Sequence, residues 1–207
     1  MAHASWLTKS KSSGSGNDTV SVGAGSNNTG RNARSTTLTF KATGVSDVER
    51  TVMQSGKPEF VTIDSTKSVS KNGVQTLTIS GTSNSTKLTF SLASGGTLVL
   101  TLPSSYTANS VSTNNGAAIT GDPGASAEYA FSISFSDIGE NTSIGAKTAQ
   151  LIVTDNAGNE ATCTITQAAG DATLSVSPAS VTLDWNANTE GTSASFTVTS
   201  NTNWSVE

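Results

Sequence analysis

Tyr129-Ala130-Phe131-Ser132-Ile133-Ser134-Phe135 alternates large apolar residues with small or polar ones over its whole length. In an extended strand successive side chains point to opposite faces. This stretch is therefore predicted to be a strand with one face in a core and the other in water. The same alternation recurs on both sides. It runs through Thr19-Val20-Ser21-Val22, Thr37-Leu38-Thr39-Phe40, Thr76-Leu77-Thr78-Ile79 and Lys87-Leu88-Thr89-Phe90. It returns in 97–102, 150–153, 173–176 and 195–198. Turn-forming clusters separate these runs, among them Gly14-Ser15-Gly16-Asn17-Asp18, Gly121-Asp122-Pro123-Gly124 and Asp155-Asn156-Ala157-Gly158-Asn159. No window carries a 3.6-residue apolar stripe. Many short strands with one wet face imply an all-β chain of antiparallel sandwiches.

The strands repeat. Asn28, Arg34 and Gln54 stand 113 positions before Asn141, Lys147 and Gln167. The same offset takes Val20 and Val22 to Ile133 and Phe135, and Leu38 and Phe40 to Leu151 and Val153. It takes Val61 and Ile63 to Leu174 and Val176. A repeat of domain size decides the organisation before any other feature does. Residues 58–170 form one complete unit, 1–57 correspond to its second half, and 171–207 to its first half.

The two ends resemble BACON domains, a family of bacterial immunoglobulin-like modules. The front half of such a module is matched by Leu174-Ser175-Val176-Ser177-Pro178 through Asn201-Thr202-Asn203-Trp204-Ser205-Val206. Its back half is matched by Trp6-Leu7, the Ser/Gly turn 12–16, Asn28, Arg34 and Gln54-Ser55-Gly56. The central unit departs from the family: Leu88 stands for the first Trp, and a longer insert spans about 103–126. The resemblance implies tandem Ig-like antiparallel β-sandwiches with half-domains at both ends. Read from Glu207 onward into Ala4-Ser5-Trp6-Leu7, the two ends join into one uninterrupted module.

A half-sandwich cannot cover both faces of its sheet, and its open strand edges invite pairing. The expectation is complementation between chains, strand addition in which the C-terminal half of one copy completes the N-terminal half of the next. Such contacts are heterologous and give rings or filaments. Closure within one chain would have to cross a whole unit, roughly 35–45 Å, on short links at ~3.3 Å per residue. The expected inter-chain core is Trp6, Leu7, Val20, Val22, Leu38 and Phe40 from one copy. The other copy supplies Leu174, Val176, Phe196, Val198, Trp204 and Val206. Trp6 and Trp204 are expected to share a core that forms only at the junction. The competing readings are an off-register piece of a longer tandem array and a fold-back within the chain.

Composition narrows the function. Charged residues are 13% and the net charge is −4, with no basic patch of the kind nucleic acid requires. No apolar run is long enough to span a membrane, and the N-terminus lacks the apolar core of a secretion signal. The single cysteine, Cys163, excludes an internal disulfide and reads as a small buried hydrophobe. The only histidine is His3. No nucleophile elbow, phosphate loop or metal-spaced pair is present, so neither an enzyme nor a cofactor is expected. Asp155, Asn156, Asn159 and Glu160 miss the calcium-loop spacing and read as a hairpin turn. Asp137 and Glu140 form no evident acid–base pair. A sugar needs an exposed aromatic platform, and Trp185 and Tyr106 are the candidates.

The function expected is a structural or assembly protein linking copies of itself head to tail. Its expected setting is a bacteriophage virion, as capsid decoration or fibre, or an extracellular surface. Other virion or surface proteins and glycans are further expected partners. The alternative is a fragment of a bacterial surface glycan-binding or spacer protein, which predicts a signal and further domains in the full gene.

Overall fold

The computed structural model describes residues 4–183, 185 and 193–207. His3, Asp184 and Asn186 lie outside the described residues. The fold is all-β: among the described residues the only helical element is one 3-10 turn, Pro123–Ala125. Among the described residues no helix is long and apolar enough to cross a membrane.

The N-terminal part holds β1 (Leu7–Lys9), β2 (Val22–Ala24), β3 (Arg34–Phe40) and β4 (Val48–Gln54). They form two separate antiparallel pairs, β1 with β2 and β3 with β4. The central part holds β5 (Val61–Ile63), β6 (Thr66–Val69), β7 (Val74–Ser83), β8 (Leu88–Leu92), β9 (Ser105–Ala108), β10 (Val111–Asn114), β11 (Tyr129–Ile138), β12 (Lys147–Asp155) and β13 (Glu160–Gln167). Its two sheets have the orders β10-β9-β11-β7-β5 and β6-β13-β12-β8. The C-terminal part is one hairpin, β14 (Leu174–Ser177) with β15 (Thr197–Ser200).

The central sandwich closes on alternating side chains. Ile79, Phe131, Ile133 and Phe135 of one sheet meet Leu88, Phe90, Leu151, Val153, Cys163 and Ile165 of the other, all buried in one cluster. Phe90 packs edge-on to Phe131 and tilted against Tyr106, with ring centroids 5.8 and 4.8 Å apart. Such aromatic pairs add to the burial of apolar area, which is the main stabilising term. Burial pushes the Cys163 thiol above its usual pKa, as expected of a core hydrophobe.

The Asp155–Asn159 turn accounts for its own polar atoms. Asp155 Oδ1 accepts the amides of Ala157 and Asn159, and Oδ2 accepts Asn159 Nδ2. Gly158 takes φ +90°, which a side chain would strain. Asp137 also takes a positive φ, 54°, near the end of β11, and the β7–β11 register runs on unchanged from Ser136↔Thr76 to Ile138↔Val74.

The strand pairs repeat with the sequence. Arg34↔Gln54 opens the β3–β4 ladder as Lys147↔Gln167 opens β12–β13, 113 positions on. Asn28 Nδ2 donates to Asn32 O and Ser55 O, and Asn141 Nδ2 donates to Gly145 O and Ala168 O at the same offset. These two side chains close the same loop in each unit by satisfying carbonyls that no strand reaches.

The N-terminal part is clasped to the central sandwich through Arg31. Its guanidinium donates to Asn84 O at 2.6 Å and to Asp122 Oδ2 at 2.5 Å, with Glu59 at 3.6 Å. The amides of Arg31 and Asn32 donate to Gly124 O and Ala125 O. The backbones of the two parts approach so closely that a Cβ on Gly30 would sit 2.3 Å from Ser126 C. Asp122, Gly124 and Ala125 all come from the long connection between β8 and β11, so that insert serves as a bracket between the parts.

Candidate interface: two open half-sandwiches

In the central unit β11, β12 and β13 each pair with strands on both sides. Their counterparts β2, β3 and β4 each pair on one side only. The unoccupied side of β2 can be identified. Main-chain groups of a strand point alternately left and right. Ala130 O accepts Asn109 N, so even-numbered residues of β11 face the β9 side and odd-numbered ones face β7. The counterparts of those even residues are 17, 19, 21, 23 and 25. Ser21 O accepts Ser10 N, and Gly25 N donates to Trp6 O. The β1 side is thus the β9 side, and the edge left open is the one that β7 fills in the complete unit.

The faces match the edges. Phe135 and Val153 are 1% and 0% exposed, whereas their counterparts Val22 and Phe40 are 44% and 43% exposed. Val61 is 8% exposed and its counterpart Leu174 60%. Val20 and Leu38 are half-buried and line, with Phe40, a hollow of about 430 Å³ in the N-terminal part. Three lysines, Lys9, Lys11 and Lys41, and Asp18 also border it. Lys11 holds the Asp18 carboxyl below its usual range through a hydrogen bond at 2.7 Å. Two charged residues break the apolar pattern: Asp18 stands where the unit has the buried Phe131, and Arg50 where it has the buried Cys163.

The C-terminal hairpin also leaves its apolar positions uncovered. Leu174, Val176, Phe196, Val198, Trp204 and Val206 surround an apolar hollow of about 220 Å³. Leu174, Val176, Phe196, Trp204 and Val206 are exposed, and Val198 is half-buried. The β14–β15 register pairs Leu174 with Ser200, as β5–β7 pairs Val61 with Ser83. The offset is 113 on the first strand and 117 on the second, so the stretch between them is four residues longer. β15 is the counterpart of β7, and among the described residues it pairs with nothing on the side where β7 meets β11. Nor does any strand of the N-terminal part pair with this hairpin.

Three of the expected positions behave differently. Trp6 and Leu7 are already buried within their own chain. The Arg34 guanidinium stacks 4.9 Å above the Trp6 ring, and the β1–β2 pair ties its backbone. Trp6 therefore does not wait for Trp204 to be covered, and the core expected to form only at the junction loses this member. Tyr106 is no glycan platform. It is 3% exposed, and its hydroxyl accepts the Leu88 amide, because β9 turns this ring toward Phe90. Trp185 is 94% exposed. The clasp residue Arg31 escaped the sequence reading because its counterpart in the repeat is Ile144.

Residues 1–55 match the BACON family, described as "Putative binding domain, N-terminal". That stretch includes the Trp6-Leu7, Asn28, Arg34 and Gln54 positions that carried the resemblance. Among curated proteins none is similar enough to match. A solved structure described as "cadmium bound structure of SporoSAG" aligns at 11% identity over 79% of this chain and 71% of its own. Its TM-score is 0.21.

Proposed function

We propose that this is a non-catalytic assembly protein whose copies join head to tail. Residues 171–207 of one copy complete the half-module 1–57 of the next, and 58–170 is the complete module between them. One observation carries the reading. Positions fully buried in the central unit are exposed at both ends, and each end lacks the strands that the other holds. A single chain leaves these apolar surfaces wet, and joining two chains removes them from water. A virion decoration or fibre is one setting for such linear joining.

The family description as a binding domain supports a second reading, a surface glycan-binding or spacer segment of a longer protein. There, flanking sequence would complete each half, and the exposed Trp185 would be the sugar platform.

Size-exclusion chromatography with light scattering separates the two. The first reading expects discrete or extended oligomers from the full chain, and a monomer from a chain ending at Gly170. A full chain that stays monomeric at high concentration would remove the assembly reading.

A further inference from the structure

We propose a specific register for the joint, resting on the assembly reading above: the residues leading into a second copy's β15, 194–196, lie antiparallel beside 20–22, which lead into β2, with Phe196 opposite Val20. The central unit supplies the template. There β7 and β11 pair with Ile133 opposite Ile79, Ser134 opposite Thr78 and Phe135 opposite Leu77. Carrying β11 back by 113 positions and β7 forward by 117 sets Val20 against Phe196, Ser21 against Ser195 and Val22 against Ala194.

Three independent features meet at this register. The first is direction. Asp64 N donates to Ser80 O, so even residues of β7 face β5 and odd ones face β11. At an offset of 117, Thr197 and Thr199 face β14, whereas Phe196 and Val198 turn their main-chain groups to the open side. On β2's side, Val20 and Val22 likewise turn theirs to the open edge. The hydrogen-bonding groups of both strands therefore face each other in this register, and a slip of one residue would turn one set away.

The second feature is the side chains. Phe196 and Val20 fall on the inner face, where Ile79 and Ile133 are both buried. Ser195 and Ser21 fall on the wet face, where Thr78 and Ser134 share a hydroxyl hydrogen bond at 2.9 Å. The ends thus keep a hydroxyl pair at that outer position.

The third is strand order. The joined sheet would read β1-β2-β15′-β14′, with primes marking the second copy, and match β9-β11-β7-β5 of the central unit. The parallel β13–β6 pairing, Thr164 with Thr66, places 179–182 of the second copy along β4. The acceptor is entered at two edges at once, and the copies must therefore be oriented alike along the array.

The register can be read by cross-linking the full-length chain. Ser21 and Ser195 would form a non-hydrogen-bonded pair, with Cα atoms about 4.5 Å apart, within disulfide reach. Ser21 and Thr197, two residues out of register, would be diagonal neighbours about 7–8 Å apart, beyond it. Under mild oxidation, Ser21→Cys/Ser195→Cys is expected to give a ladder of covalent multimers on a non-reducing gel. It should exceed that of Ser21→Cys/Thr197→Cys about tenfold, given the distance limit on the bond. If the out-of-register pair links better, or neither pair links while the wild type still self-associates, this register is wrong and assembly stands. If the wild type is a monomer and neither pair links, both fail. A disulfide confined to the monomer would assign the pairing to a chain's own ends and overturn the proposal.

Discussion

Asn84 and Asn201 occupy one position in consecutive units and make the same three bonds. Asn84 Nδ2 donates to Thr29 O and Pro58 O while its Oδ1 accepts Phe60 N. Asn201 Nδ2 donates to Thr142 O and Asp171 O while its Oδ1 accepts Thr173 N. Every partner of Asn201 lies 113 positions beyond the matching partner of Asn84. The asparagines themselves lie 117 apart, which agrees with the strand registers. Each side chain therefore ties the loop that ends one unit to the strand that starts the next.

The first prediction follows from that clasp. Asn84 is fully buried, so Asn84→Ala leaves carbonyls in the joint without donors. The cost should be roughly 1–3 kcal/mol, seen as a lower denaturant midpoint. Asn201→Ala, at an exposed site, should cost less.

The joints themselves should differ. Arg31 locks the first one, and its counterpart Ile144 is exposed. Arg31→Ala is expected to speed amide exchange at Arg31 and Asn32, whose acceptors are Gly124 O and Ala125 O. The amide of Ile144 should already exchange fast in the wild type. Equal protection at the two joints would contradict this account.

Equivalent core positions should respond unequally. Phe135→Ala empties a closed core and should cost about 3–5 kcal/mol. Val22→Asp, at the matching exposed position, should leave thermal unfolding of the central unit nearly unchanged. It should weaken association at least about tenfold, since it puts a charge into an apolar joint. Melting curves and sedimentation on the same samples test both halves.

Alkaline pH should report the central core. Burial, ahead of all other causes, pushes the Tyr129 pKa up from the usual 10.0 of a tyrosine to about 12. Its hydroxyl also donates to Ser85 O at 2.8 Å. The folded state thus holds this proton more tightly than the unfolded chain. Its contribution is complete below about pH 10, and falls away as pH rises to about 12. Tyr129→Phe should flatten stability against pH across that window, and near-ultraviolet absorbance should show the late ionisation directly.

Much of this was legible in the sequence because strands write their burial into a period of two. Ile133 and Phe135 against Val20 and Val22 revealed both the strand and its repeat. The clasps were not legible for different reasons. Arg31 has no cationic counterpart to flag it. Asn84 repeats at 117 rather than 113, and a search at a single offset passes over it. Tyr106 misled because an aromatic in a polar insert looks exposed, and only the turn of β9 toward Phe90 puts it inside. Trp6 misled because its cover, Arg34, is drawn from its own half.

Completion of one chain's N-terminal part by another chain's C-terminal hairpin is what we propose holds copies together. The most direct measurement mixes two pieces that cannot polymerise, residues 1–170 and residues 58–207, and weighs the products by light scattering. Each piece alone should be a monomer, and the mixture should give a one-to-one heterodimer that grows no further, with Trp204 fluorescence shifting to the blue. Two pieces that ignore each other at high concentration, with Trp204 still wet, would contradict it.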